Sequence, residues 1–144
     1  MTKQDETGIK VLKIENPLEC VIKKRINRFV VKVVITGRPY RAYINNTGRL
    51  SEFLIEGKTG FCIKTAGLVK TDCRLFSIRE TRLGALIDTQ LQMKTFERAL
   101  EMKLIPWLNG CKVLKRNAKM GQSLIDYLLK CNGEKIYLDV KSAV

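Results

Sequence analysis

The 144-residue chain contains no histidine. That gap removes the usual general base, the usual partner of a nucleophilic Ser or Cys, and the commonest nitrogen ligand of zinc. Cysteine is present at Cys20, Cys62, Cys73, Cys111 and Cys131, yet no two are spaced as C-x-x-C. An odd, scattered set of this kind argues against a zinc centre and reads as reduced thiols acting as small hydrophobes. Long apolar runs are missing too. The most apolar stretch, Phe29 to Ile35, is interrupted by Lys32, so nothing approaches the roughly eighteen residues of a membrane span. No Ser-rich, Pro-rich or low-complexity segment suggests a flexible linker. Met1 to Lys10 is polar and mixed in charge, unlike a secretory signal or an amphipathic transit peptide, and a cytosolic location is expected. Chemistry in this chain has to run on carboxylates, lysine and metal.

What is abundant is positive charge. Lys and Arg number 27 against 14 Asp and Glu, a formal net charge of +13. The basic residues are segregated. From Cys20 to Ser51 stand Lys23, Lys24, Arg25, Arg28, Lys32, Arg38, Arg41 and Arg49 with no acidic residue among them. Met102 to Ile125 repeats the pattern with Lys103, Lys112, Lys115, Arg116 and Lys119. With 45% hydrophobic residues the chain is a folded protein, long enough for one good core or two small ones. Blocks of one sign on a folded domain make a polyanion-binding face, for which nucleic acid is the commonest partner. A membrane surface fits less well, because no amphipathic basic helix accompanies the charge.

The first half reads as short strands with turn residues between them. Leu18 to Ile26, Arg28 to Thr36, Tyr40 to Asn45, Lys58 to Lys64, Arg74 to Arg79 and Leu83 to Ile87 are the candidates, with Gly37-Arg38-Pro39 among the turns. Arg49 to Ile55 interrupts them as a helical turn or two, with Leu50, Phe53 and Leu54 on one face. Such a pattern suits an OB-like barrel, whose exposed face and loops bind oligonucleotides. Of the aromatics, Tyr40 and Tyr43 are candidates for stacking on bases, while Phe29, Phe53, Phe61 and Trp107 read as core. Near Thr89 the period changes to helical, with Leu91, Phe96, Ala99, Leu100 and Leu104 in phase, Thr89 as N-cap and Pro106 at the end. The expected organisation is an N-terminal extension over 1–14, a barrel over 15–88 and a second domain over 89–144. Cys111 to Lys115 and a hairpin complete that second domain.

The hairpin carries the sharpest signal. Ser123 to Leu129 and Lys135 to Lys141 alternate like strands and are joined by Asn132-Gly133, which favours a type I′ turn. With those two residues at the centre of the turn, Cys131 faces Glu134, Leu129 faces Ile136, and Asp126 falls opposite Asp139. Like charges at a directly opposed pair, with Cβ atoms about 4.5 to 5.5 Å apart, are unfavourable unless something positive lies between them. A divalent cation would answer that, and alternation puts Lys141 on the same face while Ile136, Leu138 and Val140 point to the core. A solvated hairpin face in which Lys141 merely neutralises Asp139 is the plainer alternative.

Read as a string, the chain resembles the sugar fermentation stimulation protein family. The likeness rests on Glu15-Asn16-Pro17-Leu18, Lys24-Arg25-Ile26-Asn27-Arg28-Phe29, Asn46-Thr47-Gly48-Arg49-Leu50, Asp88-Thr89-Gln90-Leu91, Ile105-Pro106, Gly121-Gln122-Ser123, Ile125-Asp126-Tyr127 and Asp139-Val140-Lys141-Ser142. The resemblance implies an α+β chain, an N-terminal OB-like barrel that binds DNA followed by a partial PD-(D/E)xK nuclease-like α/β domain. On the barrel, Lys24, Arg25, Arg28, Arg41 and Arg49 are expected to grip phosphates, with Asn46 and Gly48 offering backbone donors. In the second domain the resemblance implies Asp126 and Asp139 as metal carboxylates, the Val140 carbonyl as a further ligand, Lys141 as the catalytic cation and magnesium as the metal. Asn117 stands where the family usually has an acidic residue, and Leu124 where it has an arginine. Members usually continue for dozens of residues beyond the point matched by Val144, so the resemblance implies a C-terminally truncated site. The expected function is nucleic-acid binding with little turnover, with a homo-oligomer or a complementing C-terminal chain as a possible partner. An active magnesium-dependent nuclease is the alternative.

Overall fold

Turn residues set the pairing of the barrel. Thr36 and Gly37 both take positive φ, 48° and 79°, as a type I′ turn requires. β2 (Val30–Ile35) and β3 (Arg38–Tyr43) therefore pair without slip, from Ile35 opposite Arg38 to Val30 opposite Tyr43. The turn read at Gly37-Arg38-Pro39 begins one residue earlier, and Pro39 lies inside β3. It is tolerated there because the other side of β3 meets a neighbouring strand only at Ala42 and Tyr43.

The computed structural model describes residues 8–65 and 71–142, so the first seven residues of the N-terminal reading lie outside the described residues. Nine strands and one α-helix are formed by the described residues. They divide into two compact units, Ile14–Met93 with Ser142, and 8–13 with Lys94–Lys141.

In the first unit β1 (Leu18–Arg25), β4 (Thr59–Lys64), β5 (Cys73–Glu80) and β6 (Leu83–Leu86) join β2 and β3 in the order β3-β2-β1-β4-β5-β6. A parallel pairing of β3 with β5 closes the sheet on itself. The result is the expected OB-like barrel, here of five strands, with β6 added as a hairpin partner of β5. Its axis is filled by Ile22, Val31, Val33, Ala42, Ile44, Leu75, Ile78 and Ile87, all fully buried, together with the free thiols Cys20, Cys62 and Cys73. Each buried Val, Leu or Ile contributes about 1.5 to 3 kcal/mol. The segment after Arg49 makes a single turn and no helix. Phe53 and Leu54 donate their N–H groups to the Leu50 carbonyl at 3.0 and 2.9 Å, and all three side chains pack on the barrel core.

α1 (Thr89–Glu101) follows β6. Its N-cap is Asp88 in place of the expected Thr89: Asp88 Oδ1 accepts the Leu91 N–H at 2.9 Å. The carboxylate is buried and lies 2.8 Å from Arg74 Nε, which compensates its charge. After α1, Pro106–Leu108 form a 3-10 turn in which only Leu108 is buried. Trp107, expected in the core, is 81% exposed, because the single turn can point one of its large side chains inward and Leu108 takes that place.

In the second unit β7 (Cys111–Met120), β8 (Ser123–Cys131) and β9 (Glu134–Leu138) form an antiparallel sheet in chain order. Asn132 and Gly133 have φ of 50° and 85°, the expected type I′ turn, and the pairing runs Cys131–Glu134, Leu129–Ile136, Tyr127–Leu138 as the turn dictates. Two expectations change here. Cys111 and Cys131 are not reduced hydrophobes but a disulfide with Cα atoms 4.0 Å apart, because the β7–β8 pairing sets them directly opposite one another. Ile136 is 40% exposed and not core, whereas Leu138 and Val140 on the same alternation are half-buried.

Candidate functional site

At the far end of the β8–β9 hairpin the pairing carries Asp126 to Asp139, and the two strands exchange hydrogen bonds through these carboxylates. The Asp126 N–H donates to Asp139 Oδ1 at 3.0 Å, and the Val140 N–H donates to Asp126 Oδ2 at 2.8 Å. Lys141 Nζ stands 3.2 Å from Asp139 Oδ2. Main-chain donors and an ammonium thus compensate part of the charge that a cation was expected to compensate. The Asp126 N–H, followed by Lys141, holds the Asp139 carboxyl below its ordinary value. The Asp126 and Asp139 carboxylates and the Val140 carbonyl could offer a cation only oxygen, the donor chemistry that suits a hard divalent ion. Among the described residues no three His, Cys, Asp or Glu side chains gather at one point, so a cation here would draw on two carboxylates, main chain and water. Asn117 is bracketed against Asp126 by the pairs Arg116–Tyr127 and Ala118–Ile125. Its φ is 51°, a left-handed conformation that Asn tolerates better than most residues. Leu124 is 66% exposed.

On the barrel, a bulge decides which cations meet. Val21–Val34 and Ile22–Val33 pair in one register, but Lys23 is extra, and Lys24 therefore comes opposite Lys32. Lys32 in turn faces Arg41 on β3. Three exposed cations stand in one row across β1, β2 and β3. Among the described residues none of the three pairs with a carboxylate through its side chain, although Asp72 accepts the Arg41 main-chain N–H. Like charges directly opposed on a sheet are destabilising by a few tenths of a kcal/mol, up to about 1. Lys32 was not singled out in the sequence as a contact residue, and the signal for it was the turn: placing that turn at Thr36-Gly37 sets Lys32 against Arg41.

The remaining barrel residues divide. Arg28 and Arg49 are exposed. Arg25 points inward to main chain: its guanidinium donates to the carbonyls of Gly48 at 2.6 Å, Arg49 at 2.7 Å, Arg28 at 2.9 Å and Asn27 at 3.1 Å. It braces two loops, and desolvation followed by the Arg28 charge lowers its pKa. Asn46 is buried, donates through Nδ2 to the Ile87 carbonyl at 3.1 Å, and accepts the Gly48 N–H on Oδ1 at 3.0 Å. The Gly48 N–H that was expected to face a ligand is therefore engaged within the turn. A Cβ on Gly48 would stand 3.1 Å from that same Oδ1, which accounts for glycine there without any positive φ. Tyr40 packs on the core, whereas Tyr43 and Phe29 are 36% and 47% exposed.

Arg116, counted from sequence in the second basic block, is held by α1. It forms a fork on Glu97, Nε lying 3.1 and 3.0 Å from Oε1 and Oε2, and Tyr127 Oη donates to Glu97 Oε2 at 2.7 Å. The Tyr127 ring also packs on Phe96, with centroids 5.1 Å apart. Arg116 is the chief cause that holds the Glu97 carboxyl low, and burial pushes the Tyr127 hydroxyl up.

Comparison with known proteins agrees with both units. Residues 24–87 match the SfsA N-terminal OB domain, and residues 90–144 match the sugar fermentation stimulation protein RE domain. The chain belongs to the sugar fermentation stimulation protein family. The homolog from Archaeoglobus fulgidus is 48% identical over 135 residues, covering 94% of this chain and 58% of the relative. That from Pyrococcus furiosus is 43% identical over 136 residues, covering 94% and 59%. The solved structure of Pyrococcus furiosus SfsA in complex with Ca2+ superposes with a TM-score of 0.89 at 42% identity, over 95% of this chain and 59% of that one. The chain thus spans a little under three fifths of the length of these relatives.

Proposed function

We propose that this family member binds nucleic acid along the cationic face of its barrel and carries a metal-dependent nuclease-like site at Asp126, Asp139 and Lys141. The row Lys24–Lys32–Arg41 is the observation that carries the reading. Three like charges opposed across three strands raise the energy of the free protein, and a phosphate backbone relieves it while releasing counterions. The OB domain match supports the same reading. Arg28 and Arg49 extend the face, and Arg25 shapes it by holding the loops on which they stand. Tyr43 and Phe29 offer exposed rings beside the row for stacking on bases. Replacing Lys24, Lys32 and Arg41 together with Gln should make the plot of log affinity against log salt shallower by about 2, from about 0.7 to 0.9 per phosphate contact. An unchanged slope would move the binding face elsewhere.

A second reading, magnesium-dependent hydrolysis of a phosphodiester, is favoured by one observation: Lys141 lies 3.2 Å from a carboxylate that is itself hydrogen-bonded across the hairpin to Asp126. In that reading Asp126, Asp139 and the Val140 carbonyl would hold the cation. A bound cation would polarise the phosphoryl oxygen and lower the pKa of a bound water. Lys141 would stabilise charge developing on the phosphate. That the Pyrococcus furiosus structure is in complex with Ca2+ supports a hard-cation site in the family. Cleavage of an oligonucleotide in magnesium that disappears in Lys141→Ala is the expected result. Cleavage that persists in the variant would assign the activity to other residues or to a contaminant.

A further inference from the structure

The second unit carries a like-charge row of its own. β7 pairs with β8 at Lys112–Lys130, and β8 pairs with β9 at Lys130–Lys135. All three lysines are exposed, and among the described residues none pairs with a carboxylate. Repulsion along such a row weakens the strand pairing modestly. Here the adjacent rung is covalent, because the Cys111–Cys131 disulfide ties β7 to β8 immediately beside Lys112 and Lys130. The type I′ turn at Asn132-Gly133 holds β9 on the other side.

The row also borders a concavity. A hollow of about 440 Å³ is lined by Gly110, Lys112, Leu114, Lys130, Asn132 and Gly133 among others. Leu114 is the residue left over by the bulge between Val113 and Lys115. Gly110 and Gly133 lie at φ of 84° and 85°. A Cβ on Gly110 would approach Asn132 Oδ1 to 2.7 Å, so a larger residue there would displace the Asn132 side chain from that wall. Alternation puts Lys130 and Lys135 on the face of the sheet that bears Asp126 and Asp139. Lys130 lies four residues along the strand from Asp126, about 13 Å at 3.3 Å per residue. A nucleic-acid strand with one phosphate at the carboxylates would present another at the lysines about four backbone charges on, at 3.4 Å of duplex axis per charge.

We infer that Lys112, Lys130 and Lys135 form a second phosphate-backbone contact for nucleic acid, held in shape by the Cys111–Cys131 disulfide and distinct from the barrel face. The inference rests on the nucleic-acid reading above, and its test separates the two. A labelled oligonucleotide is titrated with the full chain across a salt series, in wild type, in K112Q/K130Q/K135Q and in the charge-matched control K10Q/K64Q/K94Q. If the row neutralises two phosphates, its variant shows a slope shallower by about 1.4 to 1.8, and the control, which removes the same charge from exposed positions outside either row, stays close to wild type. Melting of each variant without oligonucleotide checks folding, and at low salt the row variant should melt above the control because it has lost internal repulsion. Equal slopes for the two variants overturn the inference while leaving barrel binding intact. Absence of salt-dependent binding in wild type overturns both.

Discussion

Individual residues show where charge is compensated and where it is left open. Asp88 and Arg74 neutralise each other inside the first unit, and Glu97 is answered by Arg116 and Tyr127. Asp126 and Asp139 are answered only in part, by two N–H groups and an exposed ammonium. A cation occupying this pair stabilises the folded state by mass action, about 1.4 kcal/mol at ten times its dissociation constant. For a chain of this size that raises Tm by about 3 to 6 °C. Magnesium or calcium should therefore lift the melting temperature of wild type, and Asp126→Asn should lose that lift. Equal stabilisation of both proteins would leave the hairpin face an ordinary solvated surface. Arg25 shows the limit of reading residues from a string. A cation in a basic block is as consistent with bracing as with binding, and only the carbonyls of Gly48 and Arg49, more than twenty residues away, decide between them.

Among the elements, strands and turns were legible because their signals are local. The six strands of the first unit fall within about two residues of their expected limits. The Asn132-Gly133 turn alone predicts the β8–β9 pairing down to Tyr127 and Leu138, and the Asp126 N–H bond to the Asp139 carboxylate stands at the next position. Non-local features were not legible. The parallel closure of β3 on β5 joins segments that share no turn, the bulge at Lys23 shifts a register that looked regular, and the two bonded cysteines lie 20 positions apart. The N-cap shifted by one residue because Asp88 and Thr89 both qualify by type, and the side chain that reaches the Leu91 N–H is the aspartate. The disulfide has a measurable consequence at this scale. Closing a loop of this length is worth about 3 kcal/mol in the chain-entropy model, so Cys131→Ser under non-reducing conditions should lower Tm by about 6 to 12 °C. A reductant should then shift wild type and leave the variant where it is. If reductant moves neither protein, the bond makes no contribution to stability.

For the whole molecule the dominant property is the +13 charge and its arrangement. Composition suggests a polyanion partner, as proposed above, without singling out any cations. The pairing singles them out, because it lines up Lys24, Lys32 and Arg41 on one sheet and Lys112, Lys130 and Lys135 on the other. Cations arranged in rows recognise a backbone more than a base sequence, because phosphate contacts fix position without reading base edges. No helix among the described residues is long and apolar enough to cross a membrane. The most direct measurement is the affinity of the intact chain for two oligonucleotides of unrelated sequence, followed from low to high salt. Log affinity is expected to fall by about 2 or more per tenfold rise in salt, with the same slope for both sequences. Binding that ignores salt, or that is confined to one of the two sequences, would contradict it.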